Sequence, residues 1–136
     1  MKNSPLVSVI IPTYNRAKTL PTAITSVLSQ TYQNYEIIVV NDGSTDNTED
    51  VVKQYDKVHY VYQTNKGQAG ARNAGLKLAK GSLIASLDSD DEWYPEFLQR
   101  NVEKMMADNL DFVFANWDQQ YANGEFCDFL STNIFL

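Results

Sequence analysis

Short apolar runs alternate along this chain with segments of helical period, and that alternation restricts the fold more than any other feature. Leu6 to Ile11 (LVSVII), Tyr35 to Val40 (YEIIVV), Val58 to Tyr62 and Ser82 to Leu87 read as strands, with Asp111 to Ala115 (DFVFA) as a fifth. Pro12 is expected to stop the first of these, because it lacks the N–H that a ladder needs. Between the runs, Leu20, Ala23, Ile24, Val27 and Leu28 recur at helical spacing, with Pro21 in the first turn. Asp46 and Glu49 suit the start of a helix through Val51, Val52 and Tyr55. Ala71, Ala74, Gly75 and Leu78 mark a narrow helix face that Gly81 is expected to terminate. Pro95 opens a further helix with Leu98, Val102, Met105 and Met106 on one side, and Asn123-Gly124 signals a hairpin. Strands alternating with helices predict an α/β domain with a mainly parallel central sheet, here a single domain over residues 1–136.

In such sheets ligands bind at the carboxyl ends of the strands. The polar clusters Thr13–Arg16, Asn41–Asp46 and Asp88–Asp91 fall at those ends. Composition narrows what the ligand can be. Acidic residues outnumber basic ones 17 to 11, a net charge of −6, and the basic residues are scattered. A phosphate-backbone binder needs a dense Lys/Arg surface, so nucleic acid is not an expected partner. The single cysteine (Cys127) and single histidine (His59) cannot build a Cys/His zinc cluster, and His59 reads as structural within its strand. No segment approaches the ~20 apolar residues of a membrane span, and the first residues lack the apolar stretch of a signal peptide. A cytoplasmic protein is the expectation.

Asp88-Ser89-Asp90-Asp91 is the sharpest local signal. Three carboxylates in four residues repel one another, and a fold that gathers them usually needs a cation. All-oxygen ligands favour Mg²⁺ or Mn²⁺, which would also bridge a diphosphate. The alternative is a solvated acidic turn capping the helix at Pro95. Asp42 ends the second strand before a glycine turn. Its carboxylate could accept an imide N–H such as that of uracil, bind a ribose hydroxyl, or bond its own backbone. Pro12-Thr13-Tyr14-Asn15-Arg16 offers a hydroxyl, an aromatic ring, an amide and a guanidinium, enough to hold a base and a phosphate. Lys66 to Asn73 (KGQAGARN) precedes or opens the third helix, where Arg72 could pair with a phosphate or lie against the base, the alternative being a flexible loop with a solvated Arg. Neither a G-x-G-x-x-G fingerprint nor a Walker loop occurs, which disfavours an NAD enzyme and a P-loop ATPase.

Taken in order, four segments resemble the inverting glycosyltransferases of family 2, which have the Rossmann-like GT-A fold of nucleotide-diphospho-sugar transferases. They are VSVIIPTYNR with its core at 8–16, SVLSQTYQNYEIIVVNDGSTDNT (26–48), NKGQAGARNAGLKLAKG (65–81) and LIASLDSDDEWYP (83–95). The resemblance runs over about residues 6–118. It implies that Thr13, Asn15 and Asp42 line the nucleoside pocket with Asp42 on the base, and that Arg72 lies near base and phosphates. Pro12, Tyr14, Arg16 and Ser89 would complete the donor site. Asp88 would contact the ribose region, and Asp90 would be the principal metal ligand, with Asp91 beside it. The implied reaction moves a sugar from a nucleoside diphosphate, often a UDP-sugar, to a carbohydrate or lipid-linked acceptor in polysaccharide biosynthesis. The expected location of such an enzyme is cytoplasmic or, in full-length form, peripheral to the membrane.

Inversion requires a general base, which in this family lies well after the acidic motif. Asp118, Glu125 and Asp128 are the late carboxylates here, and none sits in a recognisable base motif. The apolar tail (Phe126, Cys127, Phe129, Leu130, Ile134, Phe135 and Leu136) ends mid-pattern. The expectation is a donor-binding part that stops before its base, with a tail able to self-associate. Two other classes compete. A non-catalytic nucleotide-sugar-binding module would carry the same donor residues. A sugar nucleotidylyltransferase would need a Gly-rich basic loop after the first strand, and PTYNR is not one.

Overall fold

A computed structural model describes residues 4–115 and 118–128, divided into two compact units at Leu98/Gln99. The first unit holds four parallel strands in the order β3-β2-β1-β4: β1 (Val7–Thr13), β2 (Tyr35–Asp42), β3 (Val58–Gln63) and β4 (Leu83–Ser86). Helices α1 (Leu20–Leu28), α2 (Thr48–Val52) and α3 (Gly67–Leu78) make the connections that parallel pairing demands. Strand order reverses at β1, whose neighbours are β2 on one side and β4 on the other. That is where an open α/β sheet leaves a crevice for ligands.

Every residue of β1 is buried, and so are Ile37 to Asp42 of β2. Continuous apolar runs such as VSVII and IIVV suit strands covered on both faces. On one face Ile38 and Val40 pack with Ala71 of α3, with Ala74 and Ala79 at the margin. The helix comes this close because Gly75 has no side chain. A Cβ there would stand 2.6 Å from Cγ2 of Ile10.

Several expected boundaries differ from the structure. Strand β1 continues through Pro12 to Thr13. The carbonyls of Leu6 and Ile10 accept bonds from Leu83 and Leu87, on the β4 side. Pro12 has the same parity, so its missing N–H falls past the end of β4, where no ladder bond is lost. Gly81 does not cap α3, which ends at Leu78 when Ala79 turns extended. Gly81 instead lets the chain pass β1, since a Cβ would meet Leu6 O at 2.6 Å and Ser8 N at 2.7 Å. Leu78, expected on the buried face of α3, is 46% exposed. Helix α2 ends at Val52, short of Tyr55.

Helix α4 (Phe97–Asp108) starts two residues after Pro95 and runs into the second unit. Leu98 and Val102 are buried as expected, but Met106 is exposed. Asp111 to Ala115 does not form the expected fifth strand. Phe112 and Phe114 are largely exposed and stack on each other at 6.3 Å. A strand needs a ladder as well as an apolar pattern, and this segment has none. The strands of the second unit are β5 (Asp118–Gln120) and β6 (Phe126–Asp128), an antiparallel hairpin turned at Asn123-Gly124, with Gly124 at φ +88°. Phe126 is exposed, and the tail from Phe129 onward lies outside the described residues. Among the described residues, no helix is long and apolar enough to cross a membrane.

Candidate functional site

The loops after β1, β2 and β4 and the start of α3 carry most of the polar residues singled out in the sequence. Thr13 ends β1 opposite Asn41 of β2. It is 2% exposed, and among the described residues its hydroxyl has no hydrogen-bond partner. A buried unpartnered hydroxyl is costly, so this one is open to a further polar group.

Asp42, the last residue of β2, is also buried. Its Oδ1 accepts from Gln63 Nε2 at 2.7 Å and from the Lys66 backbone N–H at 2.8 Å. The bonds come from the last residue of β3 and from the loop before α3, which together fix the rotamer of Asp42. Asp42 therefore does not bond its own turn. Gln63 was not singled out in the sequence, although its place at the carboxyl end of β3 was the available signal.

Asn15 sits at φ +50°, a left-handed conformation that Asn tolerates better than most residues. Its backbone N–H donates to Ser44 Oγ at 2.9 Å. Its Oδ1 accepts from Thr45 N at 2.8 Å and from Asp46 N at 3.3 Å. Asp46 answers by accepting from Ala17 N at 3.1 Å and from Thr48 N at 3.1 Å, with a further short bond from the Thr48 hydroxyl. Burial would raise the pKa of Asp46, but these bonds outweigh it and hold the carboxyl below its usual range. Asn15 thus ties the β1 loop to the β2 loop. Tyr14 and Arg16 on either side are exposed, while Pro12 is buried in β1.

Beyond β4, Ser89 is buried while Asp90 and Asp91 are exposed and Asp88 is half-buried. One oxygen from each carboxylate lies within 4.8 Å of the others. Desolvation first, then the charges of Asp90 and Asp88, raise the pKa of Asp91. Three hard oxygen donors with mutually unfavourable charge fit a Mg²⁺ or Mn²⁺ ion, which would remove that repulsion. Two cations of the protein already stand against the cluster. Arg72 Nη2 bonds Asp88 Oδ1 at 2.7 Å, and Arg16 Nη2 lies 3.8 Å from Asp90 Oδ2. Ser86 Oγ accepts from Arg72 Nε at 3.3 Å, and Gln68 Nε2 also reaches Asp88, at 3.3 Å. Gln68 is a second residue the sequence reading passed over. Its spacing of four from Arg72 on α3 puts both on one helix face.

The structure therefore pairs Arg72 with Asp88 and Arg16 with Asp90, gathers the three aspartates, and joins Asn15 to the β2 loop. Trp93 stacks on Phe97 with ring centroids 4.4 Å apart, while Tyr94 is exposed. His59 is exposed on β3, away from these loops by register.

Known proteins share this fold and sequence pattern. The sequence profile of glycosyl transferase family 2 matches residues 8–132. Over 116 residues the chain is 43% identical to the Escherichia coli UDP-Glc:alpha-D-GlcNAc-diphosphoundecaprenol beta-1,3-glucosyltransferase WfgD, covering 83% of this chain and 46% of that protein. Staphylococcus aureus TarS 1–349 in complex with UDP superposes with a TM-score of 0.70 at 32% identity, covering 74% of this chain and 32% of that one. The mannosyltransferase PcManGT from Pyrobaculum calidifontis, in complex with GDP-Man and Mn²⁺, gives 0.72 at 29% identity, covering 76% and 33%. The chain thus spans less than half the length of these relatives. Fold, motif order and profile agree: the chain belongs to glycosyl transferase family 2, with the GT-A fold.

Proposed function

We propose that this chain binds a nucleoside-diphosphate sugar together with Mn²⁺ or Mg²⁺, as the donor half of an inverting glycosyltransferase. The observation that carries the reading is the placement of an orphaned Thr13 hydroxyl, a clamped Asp42 carboxylate and three clustered aspartates on one edge of one parallel sheet. Pro12, Thr13, Tyr14, Asn15 and Arg16 form the β1 side of the donor site. Thr13 and Asp42 face the nucleoside, and Asn15 shapes the wall by holding the β2 loop. Since Oδ1 of Asp42 is engaged, Oδ2 is the oxygen left to accept the imide N–H of uracil, which favours UDP over CDP. Arg72 and Asp88 serve the ribose and phosphates, with Ser89 packing beneath. Asp90 is the principal metal ligand and Asp91 its neighbour.

A bound divalent ion would stabilise the charge that develops on the departing diphosphate. Arg16 and Arg72, now paired with Asp90 and Asp88, can turn to the diphosphate when the carboxylates gain a stronger cation. The acceptor would be a carbohydrate or lipid-linked hydroxyl, in polysaccharide assembly at the cytoplasmic side of a membrane. No carboxylate of this chain is assigned as the base. Screening UDP, CDP, GDP and dTDP and their sugars by thermal shift, with and without Mn²⁺, tests the reading. Stabilisation by UDP that needs Mn²⁺ and exceeds that by CDP is expected. Equal shifts with UDP and CDP would show that Asp42 does not read the base.

A further inference from the structure

Helix α1 ends some sixty residues before the acidic loop, yet its last turn is joined to the segment that follows that loop. Gln30, just past α1, is 2% exposed. Its Nε2 donates to Ser26 O at 3.0 Å and to Tyr94 O at 2.7 Å, and its Oε1 accepts from the Leu98 N–H at 2.9 Å. Beside it, Thr31 N donates to Pro95 O at 2.9 Å. Leu98 is the second residue of α4, one of the N-terminal positions whose N–H has no partner inside its own helix. Gln30 therefore caps α4 from another element, and with Thr31 it holds the chain at Tyr94 and Pro95.

The other end of the acidic segment is fixed as well, because Leu87 N donates to Ile10 O at 3.0 Å. Asp88 to Trp93 thus runs between two backbone anchors, one in the sheet and one at Gln30, with the Asp91 N–H to Asp88 O turn bond and the Arg72 and Arg16 pairs lying between them. Residues 91–94 have no regular secondary structure that could hold Asp90 and Asp91 in place by themselves. A buried amide using both ends of its side chain gives a rigid anchor, and replacing it would leave polar atoms unpaired.

We propose that Gln30 is a positioning residue for the cation-binding loop, setting where Asp90 and Asp91 stand relative to the nucleotide by clamping Tyr94 and Leu98. It does not touch donor or metal. The inference rests on the donor-and-cation reading above. Losing a residue that orients metal ligands typically costs roughly 10–100-fold in metal affinity.

The test is calorimetry of UDP binding to the whole chain with and without Mn²⁺, on the unmodified protein, Gln30→Met and Gln30→Glu, with thermal melts alongside. Gln30→Met matches the side chain in size and removes all three bonds. It is expected to leave metal-free UDP affinity intact and to cut the gain from Mn²⁺ by roughly tenfold or more. If Gln30→Met does not fold, Gln30→Glu provides the comparison. It keeps an oxygen for Leu98 N–H, sets its other oxygen against the carbonyls of Ser26 and Tyr94 in place of the amide N–H, and is expected to lose Mn²⁺ gain in the same sense. A lowered melting temperature with the full Mn²⁺ gain, in either folded variant, would show that Gln30 only supports the fold and would overturn the proposal. Absence of any Mn²⁺ gain in the unmodified protein would instead defeat the donor-and-cation reading, and this proposal with it.

Discussion

Arg72 Nη2 stands 2.7 Å from Asp88 Oδ1, which couples α3 to the first aspartate of the acidic loop. The two side chains are 38% and 41% exposed, so solvent screens the pair and its contribution to stability is at most about 1 kcal/mol. Its value lies in orientation. Arg72→Ala is expected to leave urea stability within about 1 kcal/mol of the parent. It should weaken Mn²⁺–UDP binding by about 1.5–3 kcal/mol, the usual worth of a hydrogen bond to a charged group. Urea titration and calorimetry on one preparation check both halves; a large stability loss with intact binding would assign Arg72 to the fold.

The Asn15 lock separates backbone conformation from hydrogen bonding. Asn15→Gly keeps the left-handed φ and removes the acceptor for Thr45 and Asp46. Asn15→Ala removes the acceptor and adds a left-handed penalty of roughly 1 kcal/mol. The expected order in urea unfolding is parent, then Gly, then Ala. Ala matching or exceeding Gly would mean that the loop relaxes away from φ +50° when the bonds are lost.

Much of this was legible beforehand, and the misses have identifiable causes. Apolar runs located β1 and β2 because a fully buried parallel strand leaves little choice of residue, while β3 and β4, each partly exposed, were found by their pattern and the helices by their spacing. DSDD and NDG stood out as candidates because they place carboxylates at strand ends, and the structure gathers the three aspartates of the first within 4.8 Å. The same patterning misled at Asp111 to Ala115, since alternation states which residues suit a strand and not whether a neighbour exists. Gly81 was read as a cap when its reason is a close pass to β1, a contact between segments far apart in sequence. Gln30 and Gln63 were harder to find for that same reason: Gln63 bonds Asp42, 21 residues away, and Gln30 bonds Tyr94 and Leu98, 64 and 68 residues away.

Acid should loosen the protein through carboxylates held ionised by hydrogen bonds. Burial raises the pKa of Glu36, but bonds from the Ser8 hydroxyl and Lys80 N–H, with the charges of Lys80 and His59, lower it overall. Asp46 is lowered likewise by its bonds from Thr48 and Ala17. A group whose folded pKa lies below its unfolded one adds stability above the unfolded value, and that stability is lost as pH falls through the folded value. Stability is therefore expected to drop below about pH 4, the range of unperturbed carboxyls. Asp46→Asn should be less stable than the parent at neutral pH, and the two should converge in acid. Denaturant melts across pH measure this, and a constant gap would remove the ionised carboxylate as the cause.

Two glycines should differ in how badly they accept a methyl group. In Gly75→Ala the new Cβ meets the side chain of Ile10, which can give way at a cost of about 1–3 kcal/mol. In Gly81→Ala it meets backbone atoms of Leu6 and Ser8, which cannot. Gly81→Ala should therefore be the more destabilising in urea titration, and the reverse order would show that the β1–β4 entry is looser than this packing implies.

The most direct measurement is calorimetry of UDP with and without Mn²⁺ on the parent chain and on Asp90→Ala. Asp90 contributes an exposed carboxylate oxygen to the three-aspartate cluster and, among the described residues, its side chain is paired with Arg16 alone and at long range, so its removal should leave the fold unchanged. The expected result is UDP affinity that rises with Mn²⁺ in the parent and does not respond to Mn²⁺ in Asp90→Ala, with metal-free binding still present in both. Equal, undiminished Mn²⁺ dependence in the variant would contradict the assignment of this loop as the cation-holding half of the donor site.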